Sequence, residues 1–435
     1  MKRRSWLRYT LLALTGLLLS WLVACGGGQS GGQPSGSGSD TGAAGGQEVE
    51  FWTMQLQPDF TDYFNKLIAQ YEAENPGVTV RWVDVPWADM QSKILTAVTA
   101  GTAPDVVNLN PDFAAQLASR NAWLPLDDKV SEADRAVYLP NIWQANTLNG
   151  QSFGIPWYLT TNVTLYNQTL LEQAGVEPPT TYTELATVAQ AVKDKTGKYA
   201  YFTTFVPEDS ADVLQSFVQM GVTLVDDQGK AAFNTPEGKA VFQYWTDLYT
   251  NDLLPREVLT QGHRRAIELF QAGEVALLST GAEFFPTIET NAPDIAAVTS
   301  SAPQISGDTG KKNVAVMNLV IPASSDAPDA ALDFALYLTN DANQLTFAKA
   351  ANVLPSTAAA LKDAYFQVND SAAPGVEQAR SVSAAQMGQA EVLIPAMDGI
   401  KELQAILYDN LQAAMLGQKT VDQAITDAAA DWDAR

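Results

Sequence analysis

The sequence predicts an α/β fold with an all-helical end. Residues 49–110 alternate between stretches of period two and stretches of helical spacing, which is the signature of strands separated by helices. The C-terminal part carries two amphipathic runs split at Gly417, with no strand pattern between them. At 435 residues the chain is long enough for more than one domain.

Taken in order, "VEFWT" (49–53) alternates as a strand does. In "PDFTDYFNKLIAQYEAENPGV", Phe60, Phe64, Leu67, Ile68 and Tyr71 recur at helical spacing, and Asn75-Pro76-Gly77 ends the helix. "VTVRWV" (78–83) alternates again. "WADMQSKILTAVTAG" gathers Met90, Ile94, Ala97 and Val98 on one face and stops at Gly101, and "PDVVNLN" (104–110) follows as a third strand. This order predicts a parallel sheet with right-handed crossovers. In such sheets ligands sit outside the carboxyl ends of the strands. The segments there are Thr53-Met54-Gln55-Leu56-Gln57, Val85-Pro86-Trp87 and Asn108-Leu109-Asn110-Pro111-Asp112. They offer amides, a carboxylate and an indole, but no nucleophile paired with a base. That is the inventory of a binding crevice.

Farther on, "GQSFGIPWYLTTNVTLYN" (150–167) reads as a turn, a strand and a second strand entering another lobe. "YTELATVAQAVKD" is a helix, and "YAYFTTF" after it reads as a strand of the second lobe. "TPEGKAVFQYWTDLY" is a helix capped by Thr235. "AIELFQAGEVALLSTGAEFF" combines a helix, a turn at Gly273, a strand over Val275–Ser279 and a loop at Gly281. "VAVMNLVIP" (314–322) is another strand, "DAALDFALYLTND" a helix, and "GIKELQAILYDNLQAAMLG" a helix up to Gly417. Thr420 with Gln423 is expected to form a capping box for the last helix.

Lys2, Arg3, Arg4 and Arg8 precede a mostly apolar run from Tyr9 to Ala24, the pattern of an export signal. A run of about 16 residues falls short of the roughly 20 that a spanning helix needs, although a retained anchor helix is the alternative. Leu22-Val23-Ala24-Cys25 resembles a bacterial lipobox, in which the cysteine is lipidated. As the single cysteine, Cys25 also excludes an internal disulfide framework. Residues 26–47 are Gly- and Ser-rich and behave as a flexible tether. The expected organisation therefore opens with a signal peptide (1–24) and a lipidated cysteine with its tether (25–47). With 26 basic against 49 acidic residues the net charge is −23, so nucleic acid is not an expected partner. His263 is the only histidine and reads as a solvated helix residue. A zinc site has no nitrogen or sulfur ligands to draw on.

These pieces, in this order, resemble the family 1 bacterial extracellular solute-binding proteins, the maltose-binding-protein-like lipoproteins that serve ATP-driven importers. The resemblance rests on "VEFWT", "AGTAPDVV", "LPLDD", "GIPWYLTTNVTLYN", "LLEQAGVEPPTTYTEL", "AGEVALLSTG", "LVIPASSDAPDAALDFALYLTNDANQ", "VLPS" and "GQKTVDQAITDAAADWD". It implies a periplasmic-binding-protein-like fold of two α/β lobes joined by a three-segment hinge, with a ligand cleft between them. The crossings are placed near Leu159–Val163, Asn313–Met317 and Ala358–Phe366. One lobe would comprise residues 48–161 plus 317–362, the other 162–316 plus 363–435. The implied function is capture of a neutral carbohydrate, without chemistry and without a cofactor. Delivery would be to the permease subunits of an ABC transporter, by an exported, lipid-anchored monomer at the cell envelope, periplasmic or on the outer surface of the cytoplasmic membrane.

Sugars show hydroxyls at their edges and C–H faces above and below, so a site needs flat rings with amides and carboxylates around them. The family's cleft-lining stretch falls on Trp157 and Tyr158, where one ring can be core and the other exposed. Trp87 follows the second strand and either meets ligand or packs at the helix start. Gln55 and Gln57 contact ligand or lie in a solvated loop. Asn110 and Asp112 follow the third strand, and Asp112 can equally cap the next helix. Where many sugar-binding relatives have Gly-Pro-Trp, this chain has Gly281-Ala282-Glu283, so the usual stacking ring is absent. Glu283 can bond hydroxyls there, or Phe284 can supply the face. The segment near residues 398–404 also lacks an aromatic, which points to a short sugar or glycosylated polyol rather than a long maltodextrin. Phe205, Glu208 and Asp209 are lesser candidates. A glycosidase would need paired carboxylates about 5–10 Å apart, such as Asp112 and Glu283. An anionic solute such as glycerol phosphate would need Arg or Lys in the strand-end loops, which have none; Arg264 and Arg265 read as helical and exposed.

Overall fold

A computed structural model describes residues 46–118, 120–368, 375–394, 397 and 399–435, without the side chains of Pro111, Asp112, Ala115 and Gln116. The expected signal segment, Cys25 and nearly all of the tether lie outside the described residues. Among the described residues, no helix is long and apolar enough to cross a membrane.

The first strands and helices follow the sequence pattern: β1 (Gln47–Met54), α1 (Thr61–Glu74), β2 (Val78–Val85), α2 (Trp87–Ala100), β3 (Val106–Leu109) and α3 (Pro111–Ala118). Alternation sends Val49 and Phe51 to one core, and Trp52 and Met54 to another on the opposite face. Gly101 ends α2 in the left-handed conformation, where a side chain would be strained. The chain then runs through β4 (Ile155–Thr160), β5 (Asn162–Asn167), α4 (Tyr182–Thr196), α5 (Asp212–Gln219), α6 (Pro236–Thr250) and α7 (His263–Gln271). After these come β6 (Leu277–Gly281), β7 (Thr299–Pro303), β8 (Lys312–Asn313), β9 (Ala315–Val320), α8 (Pro328–Leu338) and α9 (Asp341–Ala351). It ends with β10 (Leu354–Pro355), α10 (Gly375–Ala385), β11 (Ala390–Glu391), α11 (Ile400–Met415) and α12 (Val421–Asp433).

Two sheets organise two α/β lobes. The larger has the order β10-β4-β9-β3-β1-β2 and the smaller the order β6-β5-β7. The expected parallel sheet holds for β1, β2 and β3, whereas β9, β4 and β10 join it antiparallel. Of the added strands, β4 leads into the smaller sheet and β9 and β10 belong to chain that returns from it, a pairing no local pattern encodes. The larger sheet buries Phe51, Phe64, Trp157, Phe334 and Phe347 on one face. The smaller has its own core around Leu165, Phe217, Trp245 and Leu407.

Several local expectations need correction. "YAYFTTF" is not a strand. Tyr199 and Ala200 accept from the N–H groups of Ala276 and Leu277, but by Phe205 the backbone has turned to bond Val258. The neighbouring strand correspondingly starts at Leu277 rather than Val275. Thr420 accepts from the Gln423 N–H, but the reciprocal bond from the Gln423 side chain is missing. A full capping box closes α4 instead, between Thr181 and Glu184. Phe366, Met387 and Ala390 join the core of the larger sheet, so residues 363–435 do not all pack with the smaller one.

Trp157 is the largest correction. It is fully buried, stacked on Phe347 at 4.8 Å and flanked by Phe64 and Phe51. Strand alternation on β4 turns it into the core while its neighbour Tyr158 stays part-exposed. Trp157→Ala is therefore expected to destabilise the fold by about 3–5 kcal/mol, as removal of a core aromatic does. Urea denaturation measures this, and a loss below about 1 kcal/mol would contradict the core placement.

Candidate functional site

The crevice past the C-terminal ends of β1, β2 and β3 is built around Asp84. Its carboxylate accepts from Thr53 Oγ1 at 2.6 Å and from the N–H groups of Leu56 and Gln57 at 2.9 and 3.1 Å. Trp82 Nε1 donates to the same Thr53 hydroxyl at 2.8 Å. One carboxylate thus fixes the loop that presents Gln55 and Gln57, both exposed. Gln55 adopts a left-handed backbone, φ 52°, and its side-chain carbonyl accepts from the Trp87 N–H at 3.3 Å. The bond joins the first two loops and caps α2, which leaves the Trp87 ring 46% exposed at the helix start. Asn110 spends its side-chain oxygen on the Phe113 N–H at 2.8 Å, so it serves the start of α3. The Asp112 side chain lies outside the described residues.

A second loop comes from the smaller sheet. At the end of β6, Gly281 leads into Ala282, Glu283 and Phe284. Any Cβ at Gly281 would collide with the Glu283 carboxylate, so glycine is what lets the acid fold back over the strand. Asn352, at the end of α9 in the other lobe, donates Nδ2 to the Ala282 carbonyl at 3.1 Å and steadies this turn. Burial raises the Glu283 carboxyl from 4.5 to about 7. Burial also raises the Tyr158 hydroxyl, and the Glu283 charge adds to it. Phe284 is 39% exposed and meets His263 edge-on at 6.3 Å. His263 is part-exposed at the first position of α7, as a helix residue beside that ring.

The lesser candidates separate. Phe205 is fully buried, edge-on to Trp245. Asp209 accepts from the His263 N–H at 2.6 Å and caps α7, while Glu208 is exposed. Arg265 is bound to Glu257 and Glu268 at 2.8 and 3.0 Å, so it is not held ready for an anion.

Sequence reasoning missed a small polar recess, with room for about one water molecule, lined among others by Asn162, Tyr201, Thr203, Asp212, Gln215 and Ser279. Thr203 is buried at the end of the irregular segment. Burial raises the Asp212 carboxyl, partly offset by His263. These residues belong to an irregular segment, to α5 and to strand ends, which explains why no spacing marked them. Neutral hydroxyl and amide groups with part-buried carboxyls suit a solute rich in hydroxyls. Among the described residues, no group of three or more His, Cys, Asp or Glu is arranged to hold a metal ion.

Comparison with known proteins agrees. The model of the family described as bacterial extracellular solute-binding protein matches residues 57–345. A crystal structure of a Synechococcus sp. MITs9220 protein, named as an oligosaccharide periplasmic-binding protein, shares 46% identity. The match covers 89% of this chain and 98% of that one, with a TM-score of 0.82. A second structure so named from the same organism is a complex with zinc. An arabinooligosaccharide-binding protein of Halalkalibacterium halodurans is 27% identical, over 67% of each chain. A mannitol-binding protein of Pseudomonas aeruginosa is 24% identical, over 83% of this chain and 87% of that one.

The raised Glu283 carboxyl has a stability consequence. The folded protein holds that proton more tightly than the unfolded chain does, so the contribution of Glu283 is fully present below about pH 4.5 and lost as pH rises through 7. Glu283→Gln removes the titration. The variant should gain on wild type in urea midpoint between pH 4.5 and 8, and a pH-independent difference would contradict the buried carboxyl.

Proposed function

The chain belongs to the bacterial extracellular solute-binding protein family, and from that premise we propose that it captures a neutral carbohydrate for an ABC importer. The solute is a short oligosaccharide, a disaccharide or a glycosylated polyol. The observation that carries this reading is the placement of exposed rings. Among the described residues the exposed large hydrophobic side chains are Trp87, Phe284 and Leu416. Trp87 comes from a loop of the larger sheet and Phe284 from a loop of the smaller one. An exposed ring forgoes burial, and a sugar's C–H face restores it. Around the two rings stand Gln55, Gln57, Tyr158, Glu283 and the recess of Thr203 and Asp212, which suit hydroxyl groups. Relatives named for arabinooligosaccharide and mannitol support the same solute class.

Ligand bridging both lobes favours the closed form, because contacts made to two bodies are complete only when they come together. Tyr158 and Glu283 come from different sheets and would both contribute to such a bridge. The closed protein then delivers its sugar to the permease subunits. Cys25, lipidated after removal of residues 1–24, would hold it at the membrane through the Gly/Ser tether; one acyl chain binds only marginally, and more make the anchor firm. The protein works as a monomer and needs no cofactor.

A thermal-shift series with maltose, lactose, mannitol, glycerol 3-phosphate and zinc chloride tests the solute class. A neutral carbohydrate is expected to give the largest shift, since specific binding to the folded state raises stability by mass action. A response confined to glycerol phosphate or zinc would overturn the reading. For the best carbohydrate, Trp87→Ala and Phe284→Ala should each weaken binding by about 1–3 kcal/mol by calorimetry, with folding intact. Unchanged affinity in both would remove the rings from the site.

A further inference from the structure

Three stretches of chain meet where the two sheets join. Thr161 lies between β4 and β5, is buried, and donates its hydroxyl to the Asn313 carbonyl at 2.6 Å. The Asn313 N–H donates to Gln304 Oε1 at 2.6 Å, which ties the return passage from β7 to β9 together internally. Lys312, also buried, donates its ammonium to the Gln304 carbonyl at 2.5 Å and to Ser306 Oγ at 3.0 Å. The third stretch follows α10. Gln386 is 5% exposed; its Nε2 donates to the Asn162 carbonyl at 2.7 Å and to Thr161 Oγ1 at 3.2 Å. Its Oε1 accepts from the Gln304 N–H at 3.1 Å. Both N–H groups and the oxygen of one amide are therefore used, and they reach both passages between the sheets.

The surroundings hold that amide in place. β8 pairs in parallel with β11, the Val314 N–H donates to the Glu391 carbonyl at 3.1 Å, and the Leu393 N–H donates to Asn313 Oδ1 at 3.3 Å. Met387 and Ala390 sink into the core of the larger sheet, while α10 just before them packs on β7 of the smaller. The element carrying Gln386 is thus rooted in both bodies. Hinge bending concentrates rotation in a few residues at element ends, and Thr161, Asn162, Gln304 and Asn313 are such residues here. Hydrogen bonds weaken steeply when bent, so an amide bonded to two passages favours one angle between them.

We propose that Gln386 is the positioning residue of lobe closure: its side-chain amide bolts the two passages together and sets the fraction of ligand-free molecules that are already closed. Apparent affinity scales with that fraction, so Gln386 tunes binding without touching solute. The proposal rests on the solute-capture reading only for the link between closure and binding; the tie itself involves no ligand.

Small-angle scattering of the purified full chain without added sugar, at pH 5 and pH 9, tests the tie through Gln386→Met and Gln386→Glu. Methionine keeps the length and removes every bond, so its profile should depart from wild type at both pH values. Glutamate, when protonated, can still donate to the Asn162 carbonyl and accept from Gln304. When ionised it opposes that carbonyl and draws on the Lys312 ammonium. The Gln386→Glu profile should match wild type at pH 5 and depart from it at pH 9, a switch within one folded protein that lost packing alone does not produce. Calorimetric titration with maltose, lactose and mannitol should show an affinity change of about fivefold or more in Gln386→Met for whichever sugar binds wild type. Profiles of both variants superimposing on wild type at both pH values would overturn the proposal. If Gln386→Met fails to fold, the two-pH comparison of Gln386→Glu decides. Failure of wild type to bind any of the sugars would count against the capture reading and leave the scattering result to judge the hinge.

Discussion

A hydroxyl-to-carbonyl bond from Thr161 to Asn313 stands where the chain passes from the core of the larger sheet to that of the smaller. On either side, apolar side chains pack around a sheet; between them, only a few peptides connect. A passage of bare backbone between two cores must satisfy its polar groups locally, because buried N–H and C=O groups without partners are costly. Thr161, Gln304, Lys312, Asn313 and Gln386 do so for one another. Were these positions apolar, the passages would lose their direction and the two sheets their fixed relation.

That relation gives meaning to the loops. Parallel pairing of β2, β1 and β3 brings their C-terminal ends to one edge, and Asp84 gathers the first loop there by three hydrogen bonds. The smaller sheet presents the end of β6 with Gly281, Glu283 and Phe284. Each edge alone is a polar rim with a single exposed ring. The proposed site needs both rims, one from each sheet, with Tyr158 and Glu283 contributed by different sheets.

The electrostatics divide in the same way. A net charge of −23 is spread over the surface, where it serves solubility. Near the cleft, burial raises the carboxyls of Glu283 and Asp212, so they are less charged than the surface acids and suit hydroxyl groups better than they repel anions. Arginine 265 illustrates the contrast, since its guanidinium is committed to Glu257 and Glu268 on one helix and the turn before it.

The sequence by itself determined the local elements and the family. Period-two and helical spacings are properties of short stretches, so α1, α2, α4 and α6 and the first three strands were legible from the sequence, with Thr235 marking the start of α6; the Thr181 cap of α4 was not. It also marked Trp87, which follows the second strand, and Phe284, which the family resemblance placed where many relatives carry a tryptophan. It did not determine which of Trp157 and Tyr158 faces the core, since that depends on strand alternation relative to Phe347, a residue nearly two hundred positions away. Nor did it mark Asp212 or Gln386, whose surroundings come from residues far along the chain and from no local pattern. Local periodicity is set by neighbours in sequence; burial and the tie between lobes are set by neighbours in space, and only the folded chain brings those together.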